Sequence, residues 1–404
     1  MKLFQKTVLL LVMTVFAASL ALAKQPKYVF YFIGDGLGAS QRQFSEFFIQ
    51  EKMNNQNERL FVNTLPVAGL NTTYAKNSLI TDSAAAGTAL ASGVKTNNGV
   101  IGLDANGKRV KTLTEEAAKK GMATGIVTTT RLTHATPAAF AAHNESRNNE
   151  NEIAEDFVNS GVDFFAGGGV RHFIPKSMKK PNADAVGATI KSKRKDERNL
   201  VDEFANKGYK TYVGMAGAKK FKKDNFSRVN KVFAAFTYTH MPYEIERRNM
   251  YQEVPSIAEM TSAAIDVLSQ DRDGFFLMVE GGRIDHAAHA NDPTGVIYDT
   301  IAFDNAVKVA YDFMKKHRND TLIVVVGDHE TGGMGLGLDS KGYKLEMTSL
   351  MGTQISVEDT LSYGSGQYKG DRDKYLGLLQ SKFGLSNLSA EEKAKLNQAM
   401  ADAD

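Results

Sequence analysis

Three times in this 404-residue chain a short apolar run stops at glycine and a carboxylate. Tyr28 to Ile33 (YVFYFI) leads into Gly34-Asp35-Gly36, Phe275 to Val279 (FFLMV) into Glu280-Gly281-Gly282, and Leu322 to Val326 (LIVVV) into Gly327-Asp328. Continuous apolar runs of this length, closed by glycine, read as strands buried on both faces. Thr124 to Thr128 and Val162 to Gly169 read as further strands, and helical patterns cover Lys111 to Lys120, Ala258 to Ser269 and Asn305 to Lys315. The alternation predicts a doubly wound α/β fold, with a mostly parallel sheet and helices on both faces. In such a sheet Asp35, Glu280 and Asp328 gather at one carboxyl edge, where these folds bind their ligands.

The residues around that edge are metal ligands by type. The stretch VEGGRIDHAAHAND adds Asp285, His286, His289 and Asp292 to Glu280. Asp285 and His289 are four apart, which places them on one face of a helical turn. Taken alone, D-x-x-x-H is a common surface pattern; its position after a buried strand gives it weight. Asp35 sits in GDGLG, which shares part of a dinucleotide-binding fingerprint. That reading fails, because the last glycine of G-x-G-x-x-G is missing and an acid in the loop repels a pyrophosphate. His329 follows Asp328 directly.

Ser83 lies in TDSAAAGTA, at the start of an alanine-rich helical run. An ordinary serine there is a helix cap. Here the alanines leave little bulk around it, and a helix N-terminus offers N–H groups and a positive dipole end to an anion. His134 and Thr136 stand just beyond a strand, although Thr136 before Pro137 reads equally well as a plain cap. Arg147 is by itself a surface arginine; beside a phosphate its planar guanidinium clamps two oxygens.

Met1 to Ala23 carries Lys2 and Lys6, an apolar core and Ala21-Leu22-Ala23, the pattern of a cleaved secretory leader. The mature protein is expected to begin near Lys24, to be periplasmic or secreted, and to keep no membrane anchor. Loss of the two leader lysines takes the formal net charge from +3 to +1, without the basic bias of a nucleic-acid binder. There is no cysteine, so no disulfide framework supports the exported chain. Lys176 to Lys231 holds sixteen Lys and Arg against six Asp and Glu and reads as a solvated insertion or lid.

Together these segments resemble the alkaline phosphatases, in order from about Tyr28 to Gly337, with TDSAAAGTA, VEGGRIDHAAHAND and GDHETGG carrying the likeness. The resemblance implies two Zn2+, one Mg2+ and hydrolysis of small phosphomonoesters by a homodimer. It makes Ser83 the nucleophile and puts Asp35, Asp328 and His329 on one zinc, Asp285 and His289 on the other. Asp35, Thr136 and Glu280 would hold magnesium, with His134 acting through a water. Arg147, oriented by Asp82, would clamp the phosphoryl group, and His286 would meet phosphate through a water. A sulfatase of the same superfamily would need a modified cysteine, which is absent.

One departure stands out. The family completes the second zinc with a histidine near the C-terminus, and no histidine follows His329. The expectation is a single catalytic domain over 24–404 that lacks its last strand, with a helix after the Ser389/Glu392 capping box as its final element. The competing expectation is a non-catalytic phosphate- or metal-binding protein on the same fold. His240 and His317 are both expected to lie outside the site.

Overall fold

The computed structural model describes residues 25–337, 342–345, 347–360 and 370–403. The expected leader, Met1 to Ala23, falls outside them. Seven strands form one sheet: β1 (Tyr28–Gly34), β2 (Ala123–Arg131), β3 (Phe164–Gly168), β4 (Lys210–Val213), β5 (Val232–Ala235), β6 (Phe275–Gly281) and β7 (Thr321–Gly327). Their spatial order is β4-β5-β3-β2-β6-β1-β7, and each neighbouring pair is parallel.

Strand β6 enters the sheet last but one and slots between β1 and β2. All seven of its residues are buried, as its unbroken apolar run requires. The register aligns the three strand ends that the sequence marks: Gly34 pairs with Gly281 on one side and with Gly327 on the other. Asp35 and Asp328 each follow an aligned glycine, and Glu280 precedes one. Convergence of these acids at one edge is therefore set by the backbone ladder itself.

Six helices matter to the site: α1 (Ala39–Met53), α2 (Ser83–Ser92), α3 (Ala135–Ala141), α4 (Ile257–Leu268), α5 (Arg283–His289) and α6 (Pro293–Lys316). One sheet face packs Phe30, Phe32 and Leu277 against Met260 and Ala264 of α4 and Phe303 and Ala306 of α6. The other face packs Ile33, Ile126 and Met278 against Ala84 of α2 and Phe140 of α3. Burying one such phenylalanine contributes about 1.5–3 kcal/mol. A capping box of Ser256 and Glu259 starts α4. Helix α6 begins twelve residues earlier than its apolar pattern shows, because Asp292 caps it and Pro293 takes its first position.

Two expectations need correction. Asp292, counted among the ligand types, accepts N–H bonds from Thr294, Gly295 and Val357 through its two oxygens and is a capping residue. Residues 176–231 are not simply a solvated insertion. They supply edge strand β4 and two helices, Leu200–Asn206 and Gly214–Phe221, that bury Phe204, Tyr212 and Phe221. Many of the charges lie outside this small core in ion pairs, such as Arg198 with Glu155 and Glu203, and Lys210 with Asp224. At the other end of the chain, Ser389 and Glu392 form the expected capping box ahead of helix Ala390–Ala403. Among the described residues no helix is long and apolar enough to cross a membrane.

Candidate metal centre and phosphate pocket

The edge where β6, β1 and β7 end carries a cleft of about 450 Å3, lined among others by Ser83, His134, Arg147, Asp285, His286, His289 and His329. Asp35 is fully buried and contacts two of the lining residues, Ser83 and His329. Its Oδ1 is 3.4 Å from Ser83 Oγ and 3.5 Å from His329 Nε2, and its Oδ2 accepts from Thr136 Oγ1 at 3.3 Å. Ser83 Oγ is also 3.3 Å from His329 Nε2. Asp328 places Oδ2 3.3 Å from the same ring nitrogen, while its Oδ1 accepts the Gly36 N–H.

Ser83 is the first residue of α2, and the cap is Asp82, whose Oδ1 accepts the Ala85 N–H at 2.9 Å. The other oxygen of Asp82 receives Arg147 Nη1 at 3.0 Å, so one carboxylate fixes both the helix start and the guanidinium. His134 occupies the N-cap position of α3 without a side-chain capping bond, and Thr136 lies inside the helix with its hydroxyl on Asp35. On α5, Asp285 and His289 lie one turn apart, with Asp285 Oδ2 3.5 Å from His289 Nε2.

Among the described residues, two groups of side chains can each hold a cation. Asp35, Asp285 and His329 offer ligand atoms within 4.8 Å of one another, and so do Asp35, His134 and Glu280. Asp35 belongs to both. A ring nitrogen of His134 thus lies within the second group, the place where the family resemblance implied that it acts through a water. Buried polar atoms support cation binding here. Glu280 Oε1, Asp328 Oδ2 and His134 Nδ1 have no hydrogen-bond partner among the described residues. Leaving such atoms unpaired in a native interior is costly.

Electrostatics point the same way. Burial, then the neighbouring charges of Asp328, Asp285 and Glu280, push the Asp35 carboxyl well above its usual range. Burial pushes Glu280 up to about 7, against the opposing effect of the Thr128 hydroxyl, and raises Asp328 as well. Carboxylates crowded this closely stay ionised only with positive charge among them.

Several contributors left no local trace in the sequence. Thr331 Oγ1 donates to Asp285 Oδ1 at 2.6 Å and contacts His329 Nδ1 at 3.2 Å, tying α5 to the loop after β7. Thr128 and Thr130 hold Glu280 Oε2 from the neighbouring strand. His240, expected outside the site, packs against His286 and His134. His317 does lie away from it, stacked on Phe313 at the far end of α6.

Gly36 shows how little room the site allows. Its φ of +69° favours glycine, and a Cβ there would come 2.9 Å from Asp285 Cα and Oδ1. Gly36→Ala is expected to cost about 1–2 kcal/mol from the left-handed backbone alone and to displace Asp285. Thermal melting with and without zinc checks this: the variant should melt lower and gain less from zinc than the parent.

A parallel α/β sheet with carboxylates, imidazoles and a helix-terminal hydroxyl converging at its carboxyl edge defines a candidate metal centre of the α/β class. Residues 26–380 match the family model for alkaline phosphatase, and the chain belongs to that family. It is 40% identical over 321 residues to alkaline phosphatase 3 of Bacillus subtilis, covering 78% of this chain and 63% of that relative. The chain thus spans less than two thirds of that relative's length. The crystal structure of Thermus thermophilus alkaline phosphatase superposes with a TM-score of 0.79 at 30% identity, over 95% of this chain and 76% of that one. A variant of the alkaline phosphatase from the Antarctic bacterium TAB5, solved with Mg bound in its M3 site, superposes with a TM-score of 0.65 at 32% identity, over 78% and 81%.

Proposed function

We propose that this chain hydrolyses small phosphomonoesters through a phosphoserine on Ser83, yielding an alcohol and inorganic phosphate. The observation that carries the reading is the placement of Ser83 Oγ within 3.4 Å of Asp35 and 3.3 Å of His329, at a helix N-terminus facing Arg147.

The donor sets fit metals. Asp35, Asp328 and His329, with Asp285 and His289 close by, form mixed oxygen and nitrogen sets suited to two Zn2+. Asp35, Thr136 and Glu280 form an oxygen-rich set suited to Mg2+, with His134 adjoining, and the Mg-bound TAB5 variant supports a third site of this kind. When bound, such ions lower the pKa of a hydroxyl or water and neutralise phosphoryl charge.

In the first half-reaction Ser83 Oγ attacks phosphorus as the ester P–O bond breaks, and the alcohol leaves with a proton. Asp35 and His329 orient the Ser83 hydroxyl. Arg147 binds phosphoryl oxygens, held by Asp82, while the first-turn N–H groups of α2 face the same charge. In the second half-reaction water attacks the phosphoserine, and Ser83 recovers its proton as phosphate departs. The side chains grip only the phosphoryl group, so a range of alcohols is accepted. The same reading takes 24–404 as a catalytic domain, exported behind a leader at Met1 to Ala23 and acting as a homodimer.

Melting of the metal-free protein tests the cation reading. Between its usual value of 4.5 and about 7, Glu280 is ionised in the unfolded chain but protonated in the fold. Unfolding then releases a proton, so stability falls as pH rises from about 4.5 to about 7. Asp35 and Asp328, also raised, add to the same slope. Saturating zinc and magnesium should flatten or reverse it and restore 4-nitrophenyl phosphate hydrolysis lost to chelation. A melting profile indifferent to both metals would sink this assignment.

A further inference from the structure

Behind the pocket, one imidazole ties two of its lining residues to the sheet. Both ring nitrogens of His240 face Arg131: Nδ1 lies 3.2 Å from the backbone N–H, and Nε2 lies against the guanidinium. Arg131 is held in turn by a two-point ion pair with Glu150, Nε to Oε2 at 2.8 Å and Nη2 to Oε1 at 3.0 Å. The next residue, Met241, donates its N–H to the Thr129 carbonyl. His240 is thereby fixed to the end of β2.

What its ring offers the pocket is a flat wall. Its centroid lies 4.3 Å from that of His286, at 78° between planes, and 5.4 Å from that of His134, at 80°. His134 and His286 are themselves 5.4 Å apart at 82°. The three rings form a corner of edge-to-face contacts, a favoured aromatic arrangement. Histidine χ2 is a broad torsion, so packing has to set the ring plane.

We propose that His240 is a positioning residue, which fixes the ring orientations of His134 and His286 in the phosphate pocket. The proposal rests on the phosphatase reading above. His134 joins Asp35 and Glu280 in a cation-holding group and contacts Arg147 through Nε2 at 3.2 Å. His286 lines the cleft with Nδ1 2.9 Å from Arg283 Nη1. Without the wall, both rings rotate away from these partners while the carboxylates stay in place.

Two variants separate the wall from the anchor. His240→Gln keeps an acceptor for the Arg131 N–H and removes the ring; His240→Phe restores a ring without nitrogens. Calorimetric titration of Mg2+, then of inorganic phosphate, into zinc-loaded protein should show His240→Gln about tenfold weaker for both. His240→Phe should stay within about threefold of the parent. Lowered melting temperatures with unchanged affinities in both variants would overturn the proposal, because that is what a purely structural residue does. Nitrogen-15 NMR of the histidine rings in metal-free protein keeps this test apart from the phosphatase reading. There the His134 and His286 resonances should shift or broaden in His240→Gln even if the parent binds no phosphate; unmoved resonances would also overturn the proposal.

Discussion

Ser83→Ala is expected to lower kcat for a phosphomonoester by at least about a thousandfold, because it removes the atom proposed to take the phosphoryl group. The fold should not notice. Ser83 is buried beside Ala84, Ala85 and Ala86, its backbone belongs to α2 whatever the side chain, and Asp82 remains the cap. Zinc and magnesium content should also hold, since Asp35 and His329 keep their other partners. The measurement is steady-state hydrolysis beside elemental analysis of the same preparation. Activity that survives with metals in place would mean that water attacks phosphorus directly and that Ser83 only lines the pocket.

Asp35→Asn should be the most damaging change to metal binding. Asp35 is the one residue common to both cation-holding groups, and it also contacts the hydroxyls of Ser83 and Thr136. An amide turns one ligand oxygen into a donor aimed at a cation. Loss of more than one equivalent of bound metal follows, with activity lower by at least about a hundredfold. Stability should move the opposite way in the absence of metal. Burial and three neighbouring carboxylates already oppose a charge at Asp35, so a neutral residue relieves repulsion at neutral pH. Metal-free Asp35→Asn should melt above the metal-free parent at neutral pH. Saturating zinc and magnesium should reverse the ranking. A variant that binds the full complement of metal would contradict the shared-ligand geometry.

The centre was legible where chemistry and backbone pattern coincide. Asp35, Glu280 and Asp328 each end an apolar run, so strand pattern and parallel topology together brought them to one edge, and the Gly34, Gly281 and Gly327 register bears this out. Ser83 was legible because alanines follow it. The rest depends on neighbours distant in sequence. Thr331 and Thr128 reach Asp285 and Glu280 across loops and strands, 46 and 152 residues away, and nothing local in a threonine announces that. His240 precedes Met241-Pro242 in a stretch that reads as plain loop, and only the placement of β5 beside β3 carries it to the pocket wall. Residues 176–231 misled by charge density. Their apolar residues come in runs too short to stand out, yet suffice for an edge strand and two short helices.

The proposed reaction passes through a covalent phosphoryl group at Ser83. The most direct measurement is acid quenching of the zinc- and magnesium-loaded protein during turnover, followed by mass spectrometry of the peptide that contains Thr81, Asp82 and Ser83. One phosphoryl adduct, localised to Ser83 and absent from Ser83→Ala, is the predicted result. Turnover with no adduct on this peptide, or with the adduct on Thr81, would contradict it.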